Sequence, residues 1–306
     1  MALGPVESVY LLALVPAVLW GFTPILDKRG MSLGGTAVQA SLVVVLVDLS
    51  LFGIALAVSQ GTQAFAGLDL AIAGLFLFAG ATGTALGRLA VFVGVDRVGA
   101  SINSAAVSAR PLFATALAFG LLGEPVAPRT AVGVVVLVAG LVVLGLAKGG
   151  DLGGWRPRDL LYPVGSAAFF GFGNVLRRFG LQSSDVVLLE AVALNEAGAL
   201  LVFVAYAVVR GNSSVSSAAR GSYVYFAVSG TLTAVALLSL FTALSLPEGR
   251  VAIVESLSST APLFTTAFAF FLLRDLERVT RGVVAGAVLV VVGAALVTLG
   301  SGVAGG

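Results

Sequence analysis

The sequence predicts an all-α polytopic membrane protein: ten transmembrane helices in two five-helix repeats of inverted topology. Three observations carry that reading. The chain is 58% hydrophobic and 10% charged over 306 residues, where soluble domains are about a quarter charged. Its apolar runs are continuous and rich in Leu and Ala, without the alternation of barrel strands. Residues 111–122 (PLFATALAFGLL) return at 262–273 (PLFTTAFAFFLL), 151 positions on with nine of twelve identical. A repeat of that kind divides the chain into related halves, 1–150 and 151–306.

Crossing a bilayer takes about 20 apolar residues per helix, and charged or Gly/Pro-marked breaks delimit the spans. The first, 8–26, follows Glu7 and stops at Lys28 and Arg29. No Lys or Arg precedes it and no small-x-small site closes it, so it is expected to be a retained helix and not a signal peptide. Spans 33–58 and 70–95 follow, the latter closed by Arg97; span 100–122 ends before Arg129, and 130–147 before Lys148. The charged, Gly-rich 148–158 (KGGDLGGWRPR) links the halves. The second half repeats the plan at 159–176, 186–209, 222–246, 251–273 and 282–300, with one long polar loop, 211–221 (GNSSVSSAARG).

Five is odd, so a second half built like the first enters the membrane in the opposite sense. The halves are then related by a two-fold axis in the membrane plane, the plan of many secondary transporters, whose substrate site lies near the midplane between repeats. Loops after odd-numbered helices hold eleven Lys or Arg and loops after even-numbered helices four. By that bias the odd loops are cytoplasmic and both termini outside.

The chain has no Cys and no His. Disulfides, thiolate nucleophiles, Cys/His zinc sites and imidazole catalysis are therefore absent. No cofactor is expected, and no basic run points to nucleic acid.

The end of the first span reads Trp20-Gly21-Phe22-Thr23-Pro24-Ile25 with Lys28 after it; 150 residues on stands Phe170-Gly171-Phe172-Gly173-Asn174-Val175 with Arg177. The proline-led fourth and ninth spans are followed by Glu124 and Glu277, then by Gly133 and Gly140, and by Gly286 and Gly293. Doubled and ordered over the whole chain, these motifs resemble the EamA-type transporters of the drug/metabolite transporter superfamily. The resemblance implies small-molecule transport, often export, through a central cavity between repeats, and cytoplasmic termini, opposite to the charge bias. Gln39 and Glu190 stand where members commonly carry an arginine.

Ionisable groups within spans are costly and mark function. There are six: Asp48, Arg88, Arg110, Glu190, Glu196 and Glu255. Glu190 and Arg88 lie close enough to span ends to snorkel. Asp48, Arg110 and Glu196 are about 15 Å deep by helical rise and are expected to form a buried charge network, with Arg110 paired to one acid. Glu255, Ser259, Pro262 and Thr266 share one helical stripe, matched by Ser104, Ser108, Pro111 and Thr115 in the other half. A proline within a span frees a carbonyl that wants a water-lined cavity, so these stripes are the expected substrate-cavity wall, with Glu255 as its titratable or substrate-contacting group. Arg110 and Asn103 lie about 100° away around the helix. Trp20, Phe22, Phe170 and Phe172 either line that cavity or fill the core, and Asn174 joins the cavity set. The pairs Gly83–Gly87 and Gly282–Gly286 are spaced for close helix packing within one chain, or for a dimer seam.

The function expected is gradient-driven or facilitative transport, with export the favoured direction, of a small organic metabolite or drug-like solute by alternating access. The alternative is an intramembrane enzyme on a lipid-like substrate, disfavoured by the missing His, Cys and paired catalytic aspartates. The expected partners are a small-molecule solute, protons as a candidate coupling ion, and the lipid bilayer of the plasma membrane. A monomer is expected over a dimer.

Overall fold

A computed structural model describes residues 5–113, 116–117, 128–147, 149–210, 218–249, 254 and 257–301. Helix α1 (Pro5–Ser32) is followed by α2 (Ala37–Ser59), and α3 (Leu70–Ala79) runs through a π-helical stretch, Gly80–Leu86, into α4 (Gly87–Val98). Then come α5 (Ala100–Val107), α6 (Pro128–Leu146), α7 (Leu161–Gln182), α8 (Leu188–Arg210), α9 (Arg220–Ser245), α10 (Ala261–Leu272) and α11 (Arg281–Ser301). These helices follow the ten predicted spans, with α3, the π stretch and α4 forming the third. Five of the described helices, within α1, α2, α3–α4, α8 and α9, have the length and apolarity to cross a membrane.

The principal helix pairings persist when the halves are exchanged. α1 packs on α9 as α7 packs on α3–α4; α2 meets α9 as α8 meets the π stretch; α1 meets α10 as α7 meets α5. The self-related pairs α2–α8, α5–α10 and α6–α11 straddle the exchange axis. With five spans on each side, that axis lies in the membrane plane. The α6–α11 contact is the closest of these. A Cβ on Gly133 or Gly293 would lie 2.4 Å from Val297 N or Leu137 N, so only hydrogen fits where these backbones cross. Gly282 and Gly286 face Ala147 and Leu144, Gly83 faces Gly173, and Gly87 faces Phe170. These glycines serve packing within the chain.

Local signals set the ends. Thr36 caps α2: its hydroxyl accepts from Gln39 N at 3.2 Å while Gln39 Oε1 accepts from Thr36 N at 2.9 Å, a capping box. Gln39 thus has a structural task at its departure from the family pattern. Asp69 caps α3 by accepting from Ala71 N at 2.6 Å.

Three boundaries differ from expectation. α1 continues to Ser32, six residues past the predicted end, so Asp27 and Lys28 are helical and buried. The third span ends at Val98, which carries Arg88 further from its end. The fourth and ninth spans are broken, not kinked. α5 stops at Val107 and a turn at Ser108–Ala109 precedes Pro111, while Pro262 sits in the first turn of α10, where a missing N–H costs nothing. A two-stranded ladder joins the inter-repeat linker to the α10–α11 turn, β1 (Gly150–Asp151) pairing antiparallel with β2 (Glu277–Arg278).

Candidate functional site

A cavity of about 110 Å³ lies between the halves. α1 lends it Trp20, Thr23, Pro24 and Asp27; α5 and the turn after it lend Asn103, Ser104, Ser108 and Arg110. The π stretch and α4 give Thr84 and Arg88, α7 gives Phe170, Asn174 and Arg177, and α9 gives Thr233 and Leu237. Trp20 and Phe170, like Pro24 and Asn174, are 150 residues apart, so equivalent positions of both repeats meet in one wall.

Behind that wall runs a buried polar network. Arg88 forms 3.0 Å ion pairs with both Asp48 Oδ2 and Glu196 Oε2. Glu196 accepts from Asn195 Nδ2 at 3.0 Å, which also donates to Thr84 Oγ1 at 2.8 Å. Arg177 donates to Asn195 Oδ1 at 3.0 Å, to Thr84 Oγ1 at 2.7 Å and to Asn174 Oδ1, and its guanidinium stands 5.5 Å from the Phe241 ring centre. Both acids are fully buried, where a carboxylate persists only when paired and hydrogen-bonded.

This corrects the expected pairing of Arg110. Arg88 holds both Asp48 and Glu196, while Arg110 lies 5.8 Å from the Trp20 ring centre at the cavity. Two features move Arg88 inward. The third span is longer than predicted, and its π stretch presses so closely on α8 that a Cβ on Gly80 would meet Asn195 O at 1.7 Å. That contact puts Arg88 between α2 and α8, with 7% of its surface exposed.

The stripes fare unevenly. Ser104 and Ser108 line the cavity, but Pro111, Ser259, Pro262 and Thr266 are buried away from it, Thr266 beside an outer groove with Leu263 and Phe270. The breaks before Pro111 and Ala261 reset the helical phase, so a stripe drawn through them does not stay on one face. Thr265, one position before Thr266, makes a contact between halves, donating to Ser104 Oγ at 2.9 Å. Phe22 stacks edge-on against Phe268 at 5.1 Å and packs on the core, while the half-buried Phe172 meets the exposed Phe78 edge-on. Glu255 and Thr115 lie outside the described residues. Glu190 accepts from Phe65 N at 2.8 Å and holds the loop after α2.

Sequence reasoning missed Asp27, Thr84, Arg177 and Asn195. By run length Asp27 and Arg177 fall just beyond spans 8–26 and 159–176, although each sits within four residues of a motif position, at helical spacing from Trp20–Pro24 and Phe170–Asn174.

One end of the cavity, beyond Asp27, is fastened by charge. Lys28 Nζ pairs with Asp151 Oδ2 at 2.5 Å and donates to Asp96 O at 2.9 Å. Glu277, next to Asp151 across the ladder, is 2% exposed. Its carboxylate accepts from Ala100 N at 2.8 Å, from Ser101 N at 2.9 Å and from the Ser101 hydroxyl, capping α5 from the other half. Arg29 pairs with Asp275 at 2.5 Å. The opposite half repeats the contact of Lys28 with a backbone carbonyl: Arg178, 150 residues after Lys28, donates to the carbonyls of Leu244 and Leu246 at 2.5 and 2.9 Å.

Burial pushes the Glu277 carboxyl up from 4.5 to about 7, against the downward pull of the Ser101 and Ala100 amides and the Lys28 charge. The hydrogen bond from Arg29 holds Asp275 below its usual range. A carboxyl raised in the folded state binds its proton more tightly there than in the unfolded chain. Its contribution is full below about 4.5 and is lost as pH rises through about 7. Stability in detergent should therefore fall across that window, by on the order of 3 kcal/mol, and Glu277→Gln should flatten this part of the curve. Melting temperatures measured at stepped pH check it; an unchanged slope in Glu277→Gln would assign the titration to another group.

A profile described as the EamA-like transporter family matches residues 7–146 and again 159–299. A solved crystal structure is similar at 19% identity over 95% of this chain and 96% of its own, with a TM-score of 0.65, which speaks to the fold. No curated protein matches. With both halves covered, the chain belongs to the EamA-like transporter family.

Proposed function

We propose that this EamA-like family member carries a small organic solute across the plasma membrane by alternating access, with export as its working direction. The observation that supports the reading is the cavity itself: lined by polar side chains of several helices and walled by equivalent residues of two inverted repeats. In such a pair, each repeat can take up the conformation of the other, which moves the opening from one face to the other around a fixed site. The fastened end at Lys28–Asp151 and Glu277–Ser101 marks the closed mouth in this conformation. Solute binding shifts the balance between the two states only if it binds them unequally.

Purified protein in sealed liposomes should exchange a labelled metabolite from a panel of small polar solutes faster than protein-free vesicles. The rate should saturate with concentration and fall when the unlabelled solute is added. Flux that is linear in concentration for every solute would indicate a pore and remove alternating access.

A further inference from the structure

We propose that Asp27 is the cavity's receptor for a cationic, N–H-donating group, so that the solute is a small amine; this rests on the transporter reading above. Asp27 is 3% exposed, yet it lines the cavity, and its Oδ1 accepts no hydrogen bond from the described residues. A buried carboxylate oxygen without a donor is costly, and a protein keeps one where a ligand supplies the donor. Its neighbours leave it that vacancy. Lys28, next in sequence, is drawn away to Asp151 and Asp96 O. The Ser229 hydroxyl of α9 is near enough to act on it as a donor, and Arg88 near enough to act on it by charge.

Arg88 is already committed. It bridges Asp48 and Glu196, and among the described residues no ion pair joins it to Asp27. Asp27 is the one acid among the described lining residues; Arg88, Arg110 and Arg177 line the cavity too, and Arg88 is held by Asp48 and Glu196 behind the wall, which leaves Asp27 to meet an ammonium. An anionic group would find the guanidiniums of Arg88 and Arg177 already bound to protein oxygens and that of Arg110 on the Trp20 ring. Phe92 and Phe170 line the same cavity as the acid, a second feature suited to a desolvated cation.

Three probes of equal length separate the chemistry: n-butylamine, butan-1-ol and butanoate. Each is titrated against the full-length protein in detergent, read by thermal stabilisation and by fluorescence of Trp20, with Trp155→Phe removing the other tryptophan. The amine should stabilise the protein while the alcohol and the acid do not. Asp27→Asn, nearly the same shape, should bind the amine about 10- to 100-fold more weakly, and Asp27→Glu should retain most of the affinity. If Asp27→Asn does not fold, the probe selectivity of the wild type and of Asp27→Glu decides. Equal response to amine and alcohol, no response to the amine, or undiminished binding by Asp27→Asn would each overturn the assignment. Liposome flux keeps the two readings apart. Saturable flux of a neutral or anionic solute that survives Asp27→Asn sinks the amine site and leaves the transporter. Amine binding that depends on Asp27 without flux of any solute does the reverse.

Discussion

Arg88→Gln should unfold a large fraction of the protein, costing about 3–5 kcal/mol. Arg88 is the ion-pair partner of both Asp48 and Glu196, each fully buried. Removing the guanidinium leaves two carboxylates facing each other in a medium of low dielectric, with Asn195 still donating to one of them. The loss comes less from the missing attraction than from the charges left behind. Neutralising the acids as well, in Arg88→Gln with Asp48→Asn and Glu196→Gln, should recover most of it, since amides can share hydrogen bonds that carboxylates cannot. Chemical denaturation in a mild detergent, read by circular dichroism, measures both variants. A triple variant as unstable as the single would show that Arg88 acts through packing.

A second large effect should come from Gly80→Val. The Cβ alone would sit 1.7 Å from Asn195 O, and backbone cannot give way as a flexible side chain can. From the other helix, Gly198 would place its Cβ 2.0 Å from Leu77 O, so the crossing of α3 and α8 is closed from both sides. Separating these helices breaks the Asn195–Thr84 and Arg88–Glu196 contacts together. The cost should reach or exceed the roughly 1–3 kcal/mol typical of overpacked cores. Gly53→Val, on the same family of membrane helices but with open space around its position, is the control and should be nearly silent. A melting temperature lowered equally in both variants would contradict the account of the crossing.

The parts of the molecule legible from sequence were those written in periodic or repeated form. The ten spans and the close-packed glycines of α6 and α11 are legible from run length and from a match 151 to 153 residues on. The buried charges were legible as types and not as partners. Depth along a helix can be counted, but which of two arginines reaches Asp48 depends on how α3–α4 is rotated, and a π-helical stretch alters that rotation without leaving a sequence mark. The polar stripe failed for a related reason. A prolonged helical wheel assumes an unbroken helix, and Pro111 and Pro262 each stand just after a break. Asp27 was hidden by a boundary, because a charge normally ends an apolar span, and here the helix runs on past it. The ladder between Asp151 and Glu277 joins residues 126 apart in the chain, and no local pattern announces such a contact.

The central claim is that one cavity, walled by both repeats, opens to each face in turn. The chain has no cysteine, so a single one can be placed where it is wanted without a background. Ser108→Cys is suited to this: it lines the cavity, is 2% exposed, and among the described residues its hydroxyl bonds to the carbonyl of Ser104 in the preceding turn. In sealed vesicles of known orientation, a membrane-impermeant maleimide is applied from one side and then, in a separate sample, from the other. Alternating access predicts slow labelling from both sides, with a saturating solute changing the two rates in opposite directions. Labelling from one side alone, unaltered by any solute that the protein moves, would contradict it.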